Sequence, residues 1–463
     1  MRRLLPLLGI ILFACHSPEE NSHIKQLDEF LKGQQELFRF NGNVLVADHG
    51  KVIYQHSFGM ADFDSNRPLN DSSVFELASV SKQFTATAIL LLKDRGKLKL
   101  TDSLRQYFPE LPYSNITLWH MLTHTSGLPD YFWEMMNAWD TSKIAFNKDM
   151  IALLADKKLP VLFEPGAKWE YSNTAFVILA SIVEKISGQS NKDFMAENIF
   201  KPLGMKHTRI YNTRRSLKDT IPNYAYGYIY IDSLKKYVLP DNYPDTRFVV
   251  FMDGIQGDGI VNSTTGDLLI WDRAVKNHTL LKEETQKEML KQQSIADSTK
   301  KEYYGYGVFL EKNDFGNIIS HSGGWPGYST FLARNTDTDQ TFIILSNNSS
   351  GVTAIFNAIQ DIMAGKPVVM PYKHKEITLD STALDTFTGT YLSPNEIKLE
   401  RRGSKLFRVS PNGYSIELKP ESATKFFYSD GSDRQIEFEL TADNKIAKTW
   451  LIAYGTKTEL LKQ

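Results

Sequence analysis

The sequence predicts an α+β fold in which a domain with an antiparallel sheet and a helical cluster precedes a small antiparallel β-barrel. Within residues 25–363, strand-like segments stand near both ends and helix-periodic segments lie between them, so we expect one sheet that joins the two ends. Residues 364–378 carry prolines, a glycine and lysines without helical periodicity, which predicts a linker. Residues 379–463 show short alternating segments separated by turn signals, a pattern typical of a small barrel or sandwich.

The composition fits this two-domain organisation and excludes some classes of function. Of the 463 residues, 42% are hydrophobic and 23% are charged, which is ordinary for a globular protein with one large and one small domain. The net charge is -1 and no block of lysine and arginine stands out. A nucleic-acid surface is therefore not expected, because phosphate binding needs clustered positive charge. Beyond the N-terminus, no apolar stretch is long enough to span a bilayer.

The N-terminus predicts export and a lipid anchor. Residues 1–14 hold two arginines followed by an apolar run, the pattern of a secretory signal. Ala14 followed by Cys15 resembles a bacterial lipobox, in which the cysteine receives lipid and becomes the first mature residue. On this interpretation residues 15–24 are a polar tether, and the protein is held at a membrane of the bacterial cell envelope, facing the periplasm or the outside. The alternative is an ordinary signal peptide with Cys15 incidental, and this single cysteine excludes an internal disulfide.

The elements of the first domain follow from the period of their apolar residues. In chain order we predict a helix over 24–38, a hairpin over 40–59, helices over 173–188 and 263–275, and strands at 304–312, 317–324, 328–335 and 341–347. Gly188 is placed to close the second of these helices. Thr264 and Asp267 have the spacing of a capping box at the start of the third.

The segment FELASVSKQFTATAILLL, residues 75–92, places Ser79 three residues before Lys82 at the start of an apolar run. Residues i and i+3 share one face of a helix, so the amine is expected near the hydroxyl. A serine hydroxyl is a weak nucleophile, and a lysine removed from water can lose its proton near neutral pH and serve as its base. The alternative is an N-capping serine with a lysine that reaches solvent.

Position selects Ser79 among several similar pairs, because Ser-x-x-Lys by itself is a weak signal. The pattern starts at five serines: Ser22, Ser79, Ser233, Ser298 and Ser422. Only Ser79 precedes a long apolar run that would bury the lysine. A helix N-terminus at this serine would also favour a developing oxyanion.

A second group is needed to move the proton of the leaving group, and Tyr-Ser-Asn occurs twice, at 113–115 and at 171–173. A tyrosine beside a lysine can relay a proton, and Asn173 can offer its amide to a substrate carbonyl. We favour Tyr171 because it follows a turn and leads into an apolar helix, although spacing alone does not exclude Tyr113.

The third element is HSGGWPGYS, residues 321–329, which follows a strand-like segment. Gly323 and Gly324 would let a substrate approach an edge strand closely. A backbone N–H there, together with that of Ser79, would supply the two donors of an oxyanion hole, the arrangement that acyl transfer needs.

His120 and His124 are four residues apart on a predicted helix, a spacing that zinc sites use. The zinc-protease pattern needs glutamate next to the first histidine, where this chain has Met121. No third ligand cluster is evident in the sequence. We therefore predict no metal and no other cofactor, and expect the two histidines to pack near the site.

These motifs together resemble the serine β-lactamase and penicillin-binding-protein superfamily, and its class C branch in particular. Three ordered motifs match: Ser79-Val80-Ser81-Lys82, Tyr171-Ser172-Asn173, and His321-Ser322-Gly323 where many members have Lys-Thr-Gly. Three further stretches, at 121–129, 200–208 and 257–271, are also similar to this branch. The resemblance covers about residues 25–360 and implies the fold predicted above, and residues 379–463 resemble the small barrels appended to some of these hydrolases.

The resemblance also implies roles for the motif residues. Ser79 would form the acyl-enzyme with Lys82 as its base, and Tyr171 would exchange protons with the leaving group and the deacylating water. Asn173 would hold the substrate amide. The N–H groups of Ser79 and Gly324 would form the oxyanion hole.

The histidine at 321 departs from the family's lysine, because histidine is mostly neutral near pH 7 and cannot bind a substrate carboxylate as a fixed cation. This departure disfavours efficient β-lactamase activity and suits the esterase and peptidase members. The substrate expected from the resemblance is therefore an ester or a D-amino-acid peptide or amide.

Three alternatives remain open. In the first, the chain is a weak β-lactamase. In the second, it is a module that binds penicillin or wall peptides without turnover. In the third, the C-terminal barrel has the main role and binds carbohydrate or a partner.

Overall fold

The computed structural model describes residues 18–211, 221–393, 395–411 and 413–463. The predicted signal at 1–14 and the predicted lipid site at Cys15 lie outside these residues. The helices are α1 (Pro18–Phe38), α2 (Lys82–Asp94), α3 (Leu104–Tyr107), α4 (Leu118–Leu122), α5 (Tyr131–Ala138), α6 (Asn147–Lys157), α7 (Asn173–Ser187), α8 (Asn191–Met195), α9 (Lys201–Leu203), α10 (Phe248–Phe251), α11 (Thr265–Lys276), α12 (Glu283–Met289) and α13 (Val352–Met363). Over the described part of the chain, no helix is both long and apolar enough to cross a bilayer.

The strands form one large sheet, one barrel and three small sheets. In chain order they are β1 (Gly42–Asp48), β2 (Lys51–Phe58), β3 (Met60–Asp62), β4 (Arg67–Pro68), β5 (Phe75–Glu76), β6 (Arg209–Ile210), β7 (Ile229–Ile231), β8 (Lys236–Val238), β9 (Val261–Ser263), β10 (Ser294–Asp297), β11 (Glu302–Tyr304), β12 (Phe309–Asn313), β13 (Gly316–Trp325), β14 (Tyr328–Asn335), β15 (Gln340–Ser346), β16 (Gly389–Ser393), β17 (Asn395–Arg402), β18 (Lys405–Val409), β19 (Ser415–Pro420), β20 (Lys425–Tyr428), β21 (Arg434–Leu440), β22 (Ile446–Ala453) and β23 (Thr456–Lys462).

The large sheet confirms the predicted α+β fold. Its order is β10-β11-β12-β13-β14-β15-β1-β2, and its strand pairs are antiparallel. The junction of the two chain ends is the β1–β15 pair, in register from Gly42 opposite Ser346 to Asp48 opposite Gln340. The N-terminal hairpin therefore completes a sheet whose other strands come after the helical cluster.

Alternation along β1 shows why the sheet is covered on both faces. Val44 and Val46 belong to an apolar cluster with α1 and α13, whereas Leu45 and Ala47 belong to the larger cluster formed with the other helices. Successive side chains of a strand point to opposite faces, so a fully apolar strand such as β1 must be buried on both. The helical cluster that carries the sequence motifs lies on the second face.

Some predicted element positions agree with the structure and others differ. The segment predicted as one strand over 304–312 belongs to two strands, β11 ending at Tyr304 and β12 beginning at Phe309. Gly188 ends α7 in the left-handed conformation, with φ of 71°, as its position predicted. The Thr264 side chain caps α11 by accepting from the backbone of Asp267, but the Asp267 carboxylate accepts from Thr208 instead of closing a capping box. The first helix begins at Pro18, so it includes residues 18–24, which we had predicted as part of a tether.

The C-terminal strands β16 to β23 form a closed eight-stranded barrel, which confirms the small barrel predicted from the alternating pattern. Its apolar core is separate from the two clusters of the large sheet. Residues 366–380, between α13 and the barrel, contain no helix or strand, and Val369 and Ile377 donate backbone hydrogen bonds to barrel residues. The connection between the two domains is therefore fastened to the barrel surface.

Candidate active site

Ser79 lies on a tight turn between a strand and a helix. β5 ends at Glu76, Ala78 has a left-handed backbone with φ of 47°, and a short 3-10 helix over Ala78–Ser81 leads into α2. A left-handed non-glycine residue is uncommon and is held only where the surroundings enforce it. The turn leaves Ser79 partly exposed while its neighbours are buried.

Lys82 is fully buried beneath this serine, and its amine has three hydrogen-bond partners. Its Nζ lies 3.1 Å from Oγ of Ser79, 2.8 Å from Oδ1 of Asn173 and 2.9 Å from the backbone carbonyl oxygen of Asp258. A buried lysine is tolerated when its donors are all satisfied. The structure therefore places the predicted nucleophile and base in direct contact.

The Tyr-Ser-Asn motif at 171–173 lies against the same amine. Asn173 begins α7, and its Oδ1 is occupied by Lys82, which leaves its amide N–H groups for another acceptor. The Tyr171 ring centroid is 4.8 Å from Nζ of Lys82. Tyr113, the alternative from the second motif copy, is buried in the core with its hydroxyl unpartnered among the described residues, so Tyr171 is the tyrosine brought to the lysine.

His321 is part of β13, and only 1% of its surface is exposed to solvent. Its Nδ1 donates to the carbonyl oxygen of Ser322 at 2.6 Å, and its Nε2 accepts from the Tyr304 hydroxyl at 3.1 Å. Burial, together with the nearby charge of Lys82, lowers the pKa of His321 to about 3. This histidine is therefore neutral at physiological pH and acts as a buried hydrogen-bonding group.

Gly323 and Gly324 have different surroundings. A Cβ on Gly323 would overlap the carbonyl oxygen of Leu77 and the hydroxyl of Thr330, and would lie 3.1 Å from the backbone nitrogen of Ser79. Gly323 therefore allows β13 to pack directly against the Ser79 turn. Gly324 is exposed, has no atom within 4 Å of such a Cβ and lines the same cleft as Ser79.

His124 does not continue the helix that carries His120, contrary to the predicted helical pair. α4 ends at Leu122, and His124 has a left-handed backbone with φ of 56°. His120 instead caps its own helix, accepting the backbone N–H of Thr117. Among the residues that the structure describes, no three His, Cys, Asp or Glu side chains form a group suited to a metal ion.

Two polar residues outside the three motifs, Tyr131 and Asp258, belong to the hydrogen-bond network around Lys82. The Tyr131 hydroxyl donates to the Asp258 carboxylate at 3.0 Å, and the backbone of Asp258 accepts from Lys82. Burial raises the pKa of the Asp258 carboxyl, although Lys82 acts in the opposite direction. The stretch 257–271 carries a family resemblance that includes Asp258, but a backbone acceptor leaves no residue-type signal, because any amino acid supplies a carbonyl.

A cleft opens beside Ser79, and its lining contains residues of all three sequence motifs. Ser79, Asn173 and Gly324 line it together with Tyr131 and Asp258. An attacking hydroxyl beside a buried amine, in a cleft that the Asn173 amide also lines, is suited to nucleophilic acyl transfer.

Comparison with known proteins shows which family the chain belongs to. A family model described as Beta-lactamase matches residues 28–362. Penicillin-binding protein 4* of Bacillus subtilis (strain 168) is 39% identical over 442 residues, which cover 94% of this chain and 96% of that protein. This similarity extends past the family match, because it covers nearly the whole chain.

Two further similarities concern parts of the chain. Esterase EstB of Burkholderia gladioli is 33% identical over 178 residues, 35% of this chain and 45% of that protein. The crystal structure of a penicillin binding protein from Bacillus halodurans superposes with a TM-score of 0.64 and 26% identity, over 72% of this chain and 98% of that one. Because the family model matches residues 28–362, which are most of this chain, the chain belongs to the Beta-lactamase family of serine hydrolases.

Proposed function

We propose that the protein hydrolyses an ester or a D-amino-acid peptide or amide through an acyl-enzyme on Ser79. The observation that carries the proposal is the contact of Lys82 Nζ with Ser79 Oγ at 3.1 Å, with the two other Nζ contacts made to oxygen acceptors. Of the three partners of Nζ, the Ser79 hydroxyl is the one that carries a proton for the amine to take. This is the geometry of a general base.

In the acylation step Lys82 takes the hydroxyl proton while Oγ of Ser79 forms a bond to the substrate carbonyl carbon. The electron pair of the carbonyl moves onto its oxygen, where the backbone N–H groups of Ser79 and Gly324 stabilise the negative charge. The intermediate then expels the alcohol or amine leaving group, which receives a proton through Tyr171. The product is an ester of Ser79.

In the deacylation step water attacks the ester carbonyl and loses a proton to the Tyr171 and Lys82 pair. The bond to Oγ breaks, the proton returns to Ser79 and the carboxylic acid leaves. The Asn173 amide N–H groups, not used by Lys82, hold the carbonyl of the substrate chain during both steps.

A substrate without an obligatory carboxylate fits the neutral state of His321. The buried ring cannot supply the fixed positive charge that a lysine would supply at this motif. The similarity to an esterase supports the ester class. The greater similarity to a protein named penicillin-binding supports a second candidate, a penicillin-binding or weak β-lactamase activity at the same serine.

Intact mass after incubation with a fluorophosphonate probe tests the proposal. We expect a single adduct on the wild-type chain and none on Ser79→Ala. An ester and a peptide ending in D-Ala-D-Ala are then compared as substrates. Absence of the adduct on folded wild-type protein would contradict the hydrolase proposal and favour a module that binds without turnover.

The same measurement with a penicillin separates the two candidates. A penicillin adduct that persists indicates a penicillin-binding protein with slow deacylation, and one that forms and decays indicates a weak β-lactamase. No adduct, with the fluorophosphonate adduct still formed, leaves the ester or peptide hydrolase.

We also propose that Cys15 carries the lipid that holds the protein at the cell envelope. The support is the lipobox-like Ala14-Cys15 pair after an apolar run. Fractionation of cells that express the Cys15→Ser variant tests this. The variant is expected in the soluble fraction, and its continued recovery with membranes would contradict the lipid anchor.

A further inference from the structure

The cleft beside Ser79 has an apolar part that the proposed chemistry does not use. Apart from Ala78, six apolar side chains line it: Phe132, Val249, Met252, Ile255, Ile260 and Trp325. We call this set the apolar wall. Ligand sites combine such apolar lining with a few polar groups that fix the orientation of the ligand. Here the polar lining includes Ser79 and Asn173 of the proposed reaction centre, and the carboxylates of Glu76 and Asp253.

The apolar wall is assembled from separate segments of the chain. Phe132 lies on α5, Val249 on α10, and Trp325 at the end of β13. Phe248 contacts the rings on both sides, edge to face with Phe132 at 4.9 Å and with Trp325 at 5.5 Å. Such edge-to-face pairs fix the orientation of aromatic rings, so the three rings form a defined surface.

The buried part of the wall is backed by the protein core, while its two aromatic members reach solvent. Val249, Met252 and Ile255 are at most 4% exposed, whereas Phe132 and Trp325 are partly exposed. Apolar surface that faces water in a cleft is stabilised when an apolar ligand group covers it.

The location of Trp325 connects the wall to the reaction. Trp325 directly follows Gly324, whose N–H is the proposed oxyanion donor, and both line the cleft with Ser79. A substrate carbonyl held by that N–H has its neighbouring group close to the wall. The size of that group is therefore expected to change the rate.

We propose that the apolar wall is the subsite for a bulky apolar group next to the scissile carbonyl. The substrates of this chain are then esters or amides of medium-chain, branched or aromatic acids, in preference to acetyl or alanyl compounds. This inference rests on the proposed function, because it concerns the acyl group that Ser79 receives.

The experiment compares kcat/KM for p-nitrophenyl acetate, butyrate and octanoate, with wild type and the variants Phe132→Ala and Trp325→Ala. Each buried methylene contributes roughly a three- to fourfold gain in binding. For wild type we expect kcat/KM to rise at least about tenfold from acetate to octanoate. Both variants should lose most of that rise, taken as the ratio of kcat/KM for octanoate to that for acetate within each variant.

Leu162→Ala is the control, because Leu162 is an apolar side chain that is 56% exposed and does not line the cleft. It should keep the preference of wild type. The subsite is overturned if wild type has no preference for longer chains, or if the two wall variants keep it.

The outcome also separates this inference from the proposed function. Hydrolysis of acetate that depends on Ser79, without a chain-length preference, contradicts only the subsite. Absence of all hydrolysis and of the fluorophosphonate adduct contradicts the hydrolase itself and the subsite with it.

Discussion

Of the three acceptors around the Lys82 amine, only the Ser79 hydroxyl also carries a proton. The Asn173 Oδ1 and the Asp258 backbone carbonyl can accept but never donate. These two contacts therefore fix the rotation of the amine, and the position that remains faces Ser79. Proton exchange along this single contact requires no movement of the lysine side chain.

Replacing Lys82 by methionine should abolish this exchange while keeping a long side chain in the buried space. A positioned general base contributes roughly 10²- to 10⁴-fold, so we expect the fluorophosphonate labelling rate to fall by at least about 10²-fold. Lys93→Met is the control, since Lys93 is on the same helix and pairs with Glu288 away from the cleft. Equal labelling of the two variants would contradict the role of Lys82.

His124 holds the Tyr-Ser-Asn motif from both sides of Tyr171. Its carbonyl oxygen accepts from the backbone N–H of Glu170 at 2.9 Å, and its Nδ1 accepts from that of Ser172 at 3.0 Å. Its ring contacts the Tyr171 ring at 4.3 Å. His124 is fully buried and is a positioning residue for Tyr171.

We therefore expect His124→Phe to lower kcat by about tenfold, since the buried Ser172 N–H loses its acceptor. His124→Asn should lose about threefold or less, because asparagine supplies an acceptor and tolerates the left-handed backbone. Fluorophosphonate labelling of Ser79, which needs no leaving-group proton from a tyrosine, should change less than turnover. Equal losses of labelling, turnover and stability in both variants would indicate a structural role only.

The buried state of His321 predicts a pH dependence of stability. Its pKa is about 3 in the folded protein and about 6.5 in an unfolded chain, so between these values the unfolded state binds a proton that the folded state does not. The contribution of neutral His321 to the free energy of unfolding is complete above pH 6.5 and is lost as the pH falls towards 3. One such group changes the free energy of unfolding by about 2 kcal/mol between pH 7 and pH 5.

Guanidinium unfolding of wild type and His321→Gln at pH 7 and 5 measures this contribution. Glutamine keeps one donor and one acceptor without a titrating ring, so the variant should lose less stability on acidification. His56→Gln, which replaces a partly exposed histidine of β2, is the control. The same pH dependence in wild type and His321→Gln would contradict this explanation.

At the residue scale, a sequence can predict groups whose chemistry requires a particular residue type. The predicted nucleophile, base and tyrosine are marked by motifs, and the structure brings Ser79, Lys82 and Tyr171 close together. Asp258 acts through its backbone carbonyl, and His124 acts through a left-handed turn and a contact with a distant segment of the chain. Both contributions depend on long-range packing, which the spacing of motif residues does not reveal.

At the scale of elements, β13 packs directly against the Ser79 turn at Gly323. Thr330, opposite Gly323 on β14, donates its hydroxyl to the Leu77 carbonyl oxygen at 2.7 Å. The glycine is needed because a Cβ would occupy the space of both partners. A strand and a turn that are far apart in sequence are thereby held in van der Waals contact.

Gly323→Ala should push the strand away from the turn, breaking this hydrogen bond and displacing the Ser79 backbone N–H. Overpacking of this kind costs about 1–3 kcal/mol, and we expect at least about tenfold slower labelling. Gly324→Ala, whose Cβ meets open space, should leave the free energy of unfolding unchanged. Thermal and guanidinium unfolding of the pair measures the difference, and similar destabilisation by both would contradict it.

Element positions were predictable where period and caps agree, as in the hairpin of β1 and β2 and the helix closed by Gly188. They were not predictable where a tertiary contact overrides the local pattern. Asp267 has the spacing of a capping box, but its carboxylate accepts from Thr208. Polar residues before residue 24 suggested a tether, yet α1 begins at Pro18, because proline favours the first helical position and glutamate is a good helix former.

For the whole molecule, the barrel and the cleft lie on different sides of the large sheet. Barrel residue Asp433 accepts from Gln34 of α1, and Thr456 donates to Asp361 of α13. Both helices cover the sheet face that holds Val44 and Val46. No described residue of the barrel lines the cleft, whose lining comes from residues 76–325. The barrel is therefore expected to affect stability more than chemistry.

A chain that ends at residue 378 tests this division. We expect labelling of Ser79 within about threefold of wild type, since no cleft residue is removed, and a lower midpoint of thermal unfolding, since α1 and α13 lose their barrel contacts. Gln34→Ala in the full chain is a smaller change that removes one contact between α1 and the barrel. It leaves the buried Asp433 without the hydrogen bond from Gln34 and should lower the free energy of unfolding by about 1–3 kcal/mol. Labelling of Ser79 should stay intact. If either protein folds but is no longer labelled, the barrel is required at the reaction centre. The interpretation in which the barrel has the main role would then be favoured. It would replace the view that the barrel stabilises one face of the sheet while the reaction takes place beside the other face.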